Sequence, residues 1–166
     1  MANDVNFCMN CGTALVERVT DGTHVRPVCP NCGRIVYFDP KVAVCAFVTE
    51  GRRVLLIQRG IDPQKGLWAL PAGYIEAQEE PTLGAIREAL EETNVNVEIV
   101  RLLDVFPRRG GPGGANITIA YEARIVSGDL KAGDDAMDVQ WFDADNIPEL
   151  AFESTRILVS RWRATL

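Results

Sequence analysis

The sequence predicts an α/β layered domain with a small cysteine-rich β module in front of it. Three observations carry that expectation. Apolar runs of strand length recur between residues 42 and 142, and two segments of helical periodicity are mixed with them. Two C-x-x-C-G clusters stand close together within the first 33 residues. The segment Tyr37-Phe38-Asp39-Pro40 then joins the two regions without a long linker. The domains are therefore read as residues 1–40 and 41–166.

The cysteine clusters come first. Cys8-Met9-Asn10-Cys11-Gly12 and Cys29-Pro30-Asn31-Cys32-Gly33 are separated by 17 residues, inside the range of a four-cysteine zinc site. Each short pair lets two thiolates face one ion, and the glycine after it permits a tight reversal. Residues 16–19 and 24–26 read as strands around Asp21-Gly22, a favoured two-residue hairpin turn. Two knuckles flanking a hairpin describe a zinc ribbon holding structural Zn²⁺ through Cys8, Cys11, Cys29 and Cys32. A rival set, Cys8, Cys11, His24 and Cys29, has the spacing of a Cys-Cys-His-Cys finger. That set would strand Cys32 and place a ligand inside a strand. A ribbon of this kind either binds nucleic acid or a partner, or staples a segment too short to build its own core. Cys45 lies in a continuous apolar run and reads as a buried thiol.

The net charge of −6 over 166 residues speaks against nonspecific nucleic-acid binding, which needs a basic face. It leaves room for a phosphate-bearing substrate, because a bound divalent cation reverses the local sign. No apolar run reaches the length of a membrane span, and the N-terminus lacks the pattern of a signal peptide. The expectation is a cytoplasmic protein that does not engage a membrane.

In the second domain, residues 42–49 read as a buried strand, turned by Gly51-Arg52 into another at 53–58. Residues 60–66 are loop. Strands at 96–106 and 116–126 flank "RRGGPGG", a mobile loop carrying Arg108 and Arg109. A short strand follows at 139–142. Phe152, Thr155, Leu158, Val159 and Trp162 mark one face of a closing helix. The other helix opens at Pro81, which suits a first turn. Leu83, Ile86 and Leu90 supply its core stripe, with Ala85 and Ala89 beside them. Asn94 is placed for a left-handed cap. At about 100° per residue, Glu88, Glu91 and Glu92 gather on the side away from that stripe, with Gly84 one turn before them. Like charges at i, i+4 cost a helix about 0.2–0.5 kcal/mol. Glutamates near its C-terminal end also oppose the dipole. A solvated acidic face and a platform for a hard dication both match this spacing.

Gly73, Glu79, Arg87, Glu88, Glu91, Glu92 and Val95 fit the pattern G-x5-E-x7-R-E-U-x-E-E-x-G-U, where U is aliphatic. The departures are Ala89 at the first U and Asn94 at the last glycine, a conformation asparagine can adopt. This stretch resembles the Nudix hydrolase signature, and Leu70-Pro71-Ala72-Gly73 is similar to the family's usual entry. The resemblance covers residues 41–166. It implies a Nudix α/β/α sandwich with a mixed sheet, and hydrolysis of a nucleotide diphosphate linkage with Mg²⁺ or Mn²⁺. It further implies that Glu88 and Glu92 are the main magnesium ligands, with Glu91 sharing or supporting and the Ala72 carbonyl as a further ligand. Arg87 and Glu79 would form an ion pair that orients the carboxylates. The general base would be Glu91, or Asp135 in the acidic turn before the strand at 139–142. That turn also reads as plain solvated loop.

A ribbon before such a domain resembles two branches. The NADH pyrophosphatase and NAD-decapping branch carries a marker like S-Q-P-W-P-F-P after the box, and nothing in residues 98–124 matches it. The other branch acts on ADP-ribose and FAD, and is similar here over residues 66–74 and 150–154. The resemblance thus favours an ADP-ribose or FAD pyrophosphatase releasing AMP. NADH pyrophosphatase and nucleoside-triphosphate sanitising activities are the alternatives. Trp68 would either stack on an adenine or flavin ring or pack beside the entry loop. Arg108 and Arg109 would reach substrate phosphates or contact only water. The expected partner is a small nucleotide, with a homodimer as in relatives. Two other classes share parts of this pattern: a nucleotide sensor without turnover, whose relatives usually lose box glutamates kept here, and a ribbon that binds nucleic acid.

Overall fold

The computed structural model describes residues 5–107 and 117–166. The chain forms two compact units, one ending at Pro40 and one running from Lys41 to Leu166. Among the described residues no helix is long and apolar enough to cross a membrane.

In the first unit, β1 (Val16–Val19) pairs antiparallel with β2 (Val25–Val28), Val19 lying opposite Val25. The connection is not the expected two-residue Asp-Gly turn. It spans residues 20–24 and is closed by the Thr20 N–H donating to the His24 carbonyl at 3.0 Å. Asp21 holds it, its carboxylate accepting from the His24 N–H at 2.9 Å and from Arg26 Nη1 at 2.8 Å. A side chain that satisfies loop N–H groups in this way offsets the cost of the longer turn.

In the second unit, β3 (Val42–Glu50) and β4 (Arg53–Arg59) form a hairpin only beside its turn, where Thr49 faces Val54 and Glu50 faces Arg53. The strands then part. β3 lies between β6 (Ala72–Tyr74), antiparallel, and β8 (Ile117–Gly128), parallel. β4 lies between β5 (Trp68–Ala69) and β9 (Ala136–Asp143), both antiparallel. β7 (Val95–Pro107) runs antiparallel along β8, with three register shifts. β5 and β6 are too short for any periodicity to reveal them. β9 begins at Ala136, ahead of the expected start at Val139. Arg108 and Arg109, and the rest of their loop, lie outside the described residues.

Alternation along β3 makes the layers. Cys45 and Phe47 pack with Leu158 and Val159 of α2 (Glu153–Arg163). Val44, Ala46 and Val48 face the other way, toward Ala85 and Ala89 of α1 (Pro81–Thr93). A two-residue period therefore sends one strand's side chains to two helical layers, and the result is an α/β/α sandwich on a mixed sheet. Burial pushes the Cys45 thiol up to about 12.

The core stripe of α1 departs from expectation at its two leucines, while Ile86, Ala85 and Ala89 pack on the core as expected. Leu83 and Leu90 are 56% and 41% exposed, while Ala85, Ala89 and Thr93 are buried together with Glu88 and Glu92. On a helical wheel Ala85 and Ala89 are about 40° apart, and both glutamates fall within about 60° of Ala85. Leu83 and Leu90 fall on the opposite side. Small residues let α1 lie close on β3, and that closeness carries the two glutamates inward. Asn94 ends the helix in the left-handed region, φ 59°, its N–H donating to the Leu90 carbonyl at 2.8 Å.

Replacing Ala89 by Leu should therefore lift α1 and cost about 1–3 kcal/mol. Leu90→Gln should change stability by no more than about 0.5 kcal/mol. Urea unfolding of both variants checks this, and the reverse ranking would restore the leucine stripe.

Candidate active site

β6 forms the floor of the site. Gly73 stands opposite Val44 of β3, and a Cβ on it would collide with the Glu88 carboxylate. The glycine is thus required for room. The Ala72 N–H donates to Glu92 Oε2 at 2.8 Å. Glu92 is 4% exposed and Glu88 9%. Burial pushes Glu92 up to about 8 against the opposing Ala72 bond, and the nearby Glu88 charge adds to the rise. Glu88 is raised as well, chiefly by burial, with Arg87 working the other way. Both carboxyl groups are poorly solvated and lie on the buried face of α1, where the charged form is disfavoured. Glu91 stays exposed.

Arg87 ties this helix face to the preceding loop. Its Nε and Nη2 donate to Glu79 Oε1 and Oε2 at 2.8 and 2.9 Å, a bidentate pair. Its Nη1 donates to Glu88 Oε1 at 2.7 Å and to Glu91 Oε2 at 3.0 Å, and Nη2 also reaches the Tyr74 carbonyl at 3.0 Å. Glu79 is drawn down to about 2, first by Arg87 and then by the Glu76 N–H. Its carboxylate also lies against Gly84, where a Cβ would come within 3.1 Å of Oε2.

A second acidic group arrives from the segment before β9. Asp134 and Asp135 are exposed, and both stand near enough to act on the buried pair. The Asp134 charge raises Glu88 and the Asp135 charge raises Glu92. The positive charge of Arg59 opposes them at Glu92. Its guanidinium lies 4.9 Å from the Phe152 ring centroid, and Nε donates to the Pro63 carbonyl at 2.9 Å. No sequence signal marked Arg59, because its effect on Glu92 acts between β4 and α1, 33 residues apart in the chain. Trp68 is half-buried, edge-on to Phe142 with ring centroids 4.5 Å apart.

Carboxylates are the donors a hard divalent cation takes, and two of them are raised by burial, Glu92 further by the Glu88 charge and Glu88 by those of Glu91 and Asp134. Among the described residues, however, only the four cysteines of the first unit bring three or more His, Cys, Asp or Glu ligand atoms within 4.8 Å of one another. Arg87 Nη1 bridges Glu88 Oε1 and Glu91 Oε2, which leaves each carboxylate its other oxygen.

Residues 39–162 match the NUDIX domain, and residues 6–38 match the Nudix N-terminal zinc ribbon. The chain belongs to the Nudix hydrolase family. It is 38% identical over 132 residues to an ADP-ribose pyrophosphatase of Methanocaldococcus jannaschii, covering 77% of this chain and 78% of that protein. It is 32% identical over 148 residues to the NAD-capped RNA hydrolase NudC of Pseudomonas aeruginosa, covering 87% of this chain and 50% of that protein. The chain thus spans about half the length of that relative. The crystal structure of a NUDIX hydrolase from Nitrosomonas europaea superimposes with a TM-score of 0.86 at 34% identity, covering 96% of this chain and 90% of that one.

The Nudix N-terminal ribbon gathers Cys8, Cys11, Cys29 and Cys32, whose sulfur atoms all lie within 4.8 Å of one another. Cys8 and Cys32 sulfurs are 3.6 Å apart, and those of Cys11 and Cys29 are 3.5 Å apart. A zinc–sulfur bond of about 2.3 Å gives a tetrahedral edge of about 3.8 Å, so the set fits one Zn²⁺. The two knuckles are built alike: the Gly12 N–H donates to the Cys8 carbonyl at 2.8 Å and the Gly33 N–H to the Cys29 carbonyl at 3.0 Å. His24 is not brought to this cluster. Its ring bonds the Asp21 carboxylate at 3.0 Å.

Two outcomes are expected. Cys29→Ser should release zinc and loosen the ribbon; metal analysis still returning one zinc per chain would exclude this ligand set. Glu79 is depressed in the folded state, so its contribution to stability is present above its ordinary value of 4.5 and is lost as pH falls through about 2. The difference in Tm between the protein and Glu79→Gln should therefore be full near pH 6 and shrink as pH drops from about 4.5 toward 2. A difference independent of pH would mean that the pair adds no stability.

Proposed function

We propose that this Nudix enzyme hydrolyses the diphosphate linkage of ADP-ribose or FAD, with magnesium or manganese as its working cation, and releases AMP. The observation that carries the reading is the burial of Glu88 and Glu92 side by side with Glu91 at the rim. Two buried like charges cost stability unless a cation or proton neutralises them. The 38% identity to an ADP-ribose pyrophosphatase over most of both chains supports the substrate class.

In this reading Glu88 and Glu92 are the main cation ligands, Glu91 shares the load, and the Ala72 carbonyl completes the set. When bound, the divalent cation neutralises phosphate oxygens and acidifies water. Glu91 or Asp135 accepts the proton of the attacking water. The water oxygen bonds to phosphorus as the bridging P–O bond breaks, giving two phosphate monoesters. Arg87 and Glu79 position the carboxylates and touch no substrate. Arg108 and Arg109 bind substrate phosphates, and Trp68 lies along the base or flavin. The ribbon's zinc is structural. The nucleotide is the expected partner, the assembly a homodimer, and the location cytoplasmic.

A second reading, cleavage of an NAD-type diphosphate, is favoured by the similarity to NudC across both units. The missing S-Q-P-W-P-F-P-like marker weighs against it. Product analysis with magnesium and ADP-ribose, FAD, NADH or an oxidised purine triphosphate separates these. AMP release led by ADP-ribose or FAD is expected; preference for NADH or the triphosphate would overturn the substrate assignment. Glu92→Gln should lower kcat by about 10³-fold or more with an unchanged circular dichroism spectrum. Undiminished turnover in that variant would remove the metal assignment.

A further inference from the structure

Two glycines near the carboxylates have no conformational need to be glycine. Neither Gly60 nor Gly133 adopts the left-handed backbone. Each instead sits where a side chain has no room. A Cβ on Gly60 would lie 2.6 Å from the Asp135 carbonyl oxygen, and one on Gly133 would lie 2.5 Å from the Glu91 carbonyl oxygen. Such separations are well inside van der Waals contact, so only a bare backbone permits them.

Both approaches lie on the same short segment. At one end it is fastened to the C-terminus of α1. The Asn94 side chain donates to the Asp129 carbonyl at 2.9 Å, Lys131 N–H to the Thr93 carbonyl at 3.0 Å, and Gly133 N–H to the Glu92 carbonyl at 3.2 Å. The last two bonds satisfy carbonyls at the end of α1 that have no intrahelical partner. At the other end the Gly60 N–H donates to the Asp135 carbonyl at 2.6 Å, just past the irregular last pair of β4 with β9. Asp134 lies between the two fastenings with φ 45°. The segment therefore connects the helix that bears Glu88, Glu91 and Glu92 to the strand that bears Arg59, and the two aspartates lie on it.

We propose that Gly60 and Gly133 form a two-point clasp that sets the Asp134 and Asp135 carboxylates against the glutamates of α1, which makes both glycines positioning residues for the reaction. The clasp rests on the proposed function only for its effect on turnover. Its effect on cation binding stands apart from any substrate. A displacement of about 1 Å in such a group is enough to lower turnover by about 100-fold. Loss of a supporting contact around a metal site typically weakens affinity or activity about 10–100-fold.

The test uses the full chain with its zinc. Gly60→Ala and Gly133→Ala are compared with the unaltered protein, and again in a background carrying Asp134→Asn and Asp135→Asn. Manganese affinity is read by electron paramagnetic resonance, kcat and KM with ADP-ribose and magnesium, and folding by Tm. Each glycine variant should bind manganese about tenfold more weakly and lose about 10–100-fold in kcat, with KM changed less than about threefold. In the asparagine background neither should add more than about a twofold loss, because coupled sites are not additive. Unchanged manganese affinity and kcat in both variants would overturn the clasp. Fully additive losses, or an asparagine background that behaves like the unaltered protein, would do the same. If neither glycine variant folds, the contacts serve the fold rather than the turn, and the proposal fails. Weakened manganese binding in a protein that cleaves none of the nucleotides would leave the clasp standing and remove the proposed function. Normal cleavage with unaffected glycine variants would do the opposite.

Discussion

The second unit is arranged around two carboxylates that water cannot fully solvate. Glu88 and Glu92 lie on the buried face of α1, where Ala85 and Ala89 let the helix approach β3 closely. Several neighbours follow from that single placement. Gly73 has no side chain because the Glu88 carboxylate occupies that space. The Ala72 N–H is spent on Glu92. Arg87 distributes its guanidinium among Glu79, Glu88, Glu91 and the Tyr74 carbonyl. An arrangement that weakens an isolated helix becomes useful where a dication completes it, since the same desolvation strengthens every charge interaction at the site.

The sheet supplies the opening for this helix to fill. β3 and β4 begin as a hairpin and then separate, each finding other partners. Their parting leaves β6 beside β3, and β6 is the short strand on which the glutamates rest. On the other face α2 closes the core through Leu158 and Val159. Both faces of the sheet are therefore packed, and the face covered by α1 carries the two buried glutamates as well. The ribbon meets the same problem differently. It is too small for a core of its own, and four sulfur atoms drawn together take the place of apolar packing.

Reaction class and substrate class reside in different parts of the molecule. In the proposed reading, the helix and β6 are where phosphate and cation would meet. The groups around them come from the loop after β4, the segment before β9 and the Trp68 region. Loops of this kind would decide which moiety is accepted beyond the diphosphate.

The sequence by itself determined the two knuckles, the box with its spacing, the left-handed cap at Asn94 and most of the strands. These are local patterns: a ligand spacing, a helical period, a two-residue alternation. It also made the association of Arg87 with Glu79 legible through family resemblance. Which face of α1 turns inward was decided only by the tertiary structure. The bulky Leu83 and Leu90 dominate any hydrophobic count, yet the close fit of alanine against Val44, Ala46 and Val48 sets the helix the other way. The brief strands β5 and β6, the five-residue turn held by Asp21, and the approach of Arg59 to Glu92 were likewise invisible. The strands and the Arg59 approach depend on partners elsewhere in the fold, which leave no period in a sequence, while the turn depends on side-chain bonds from Asp21 to His24 and Arg26 that no hydrophobic pattern records.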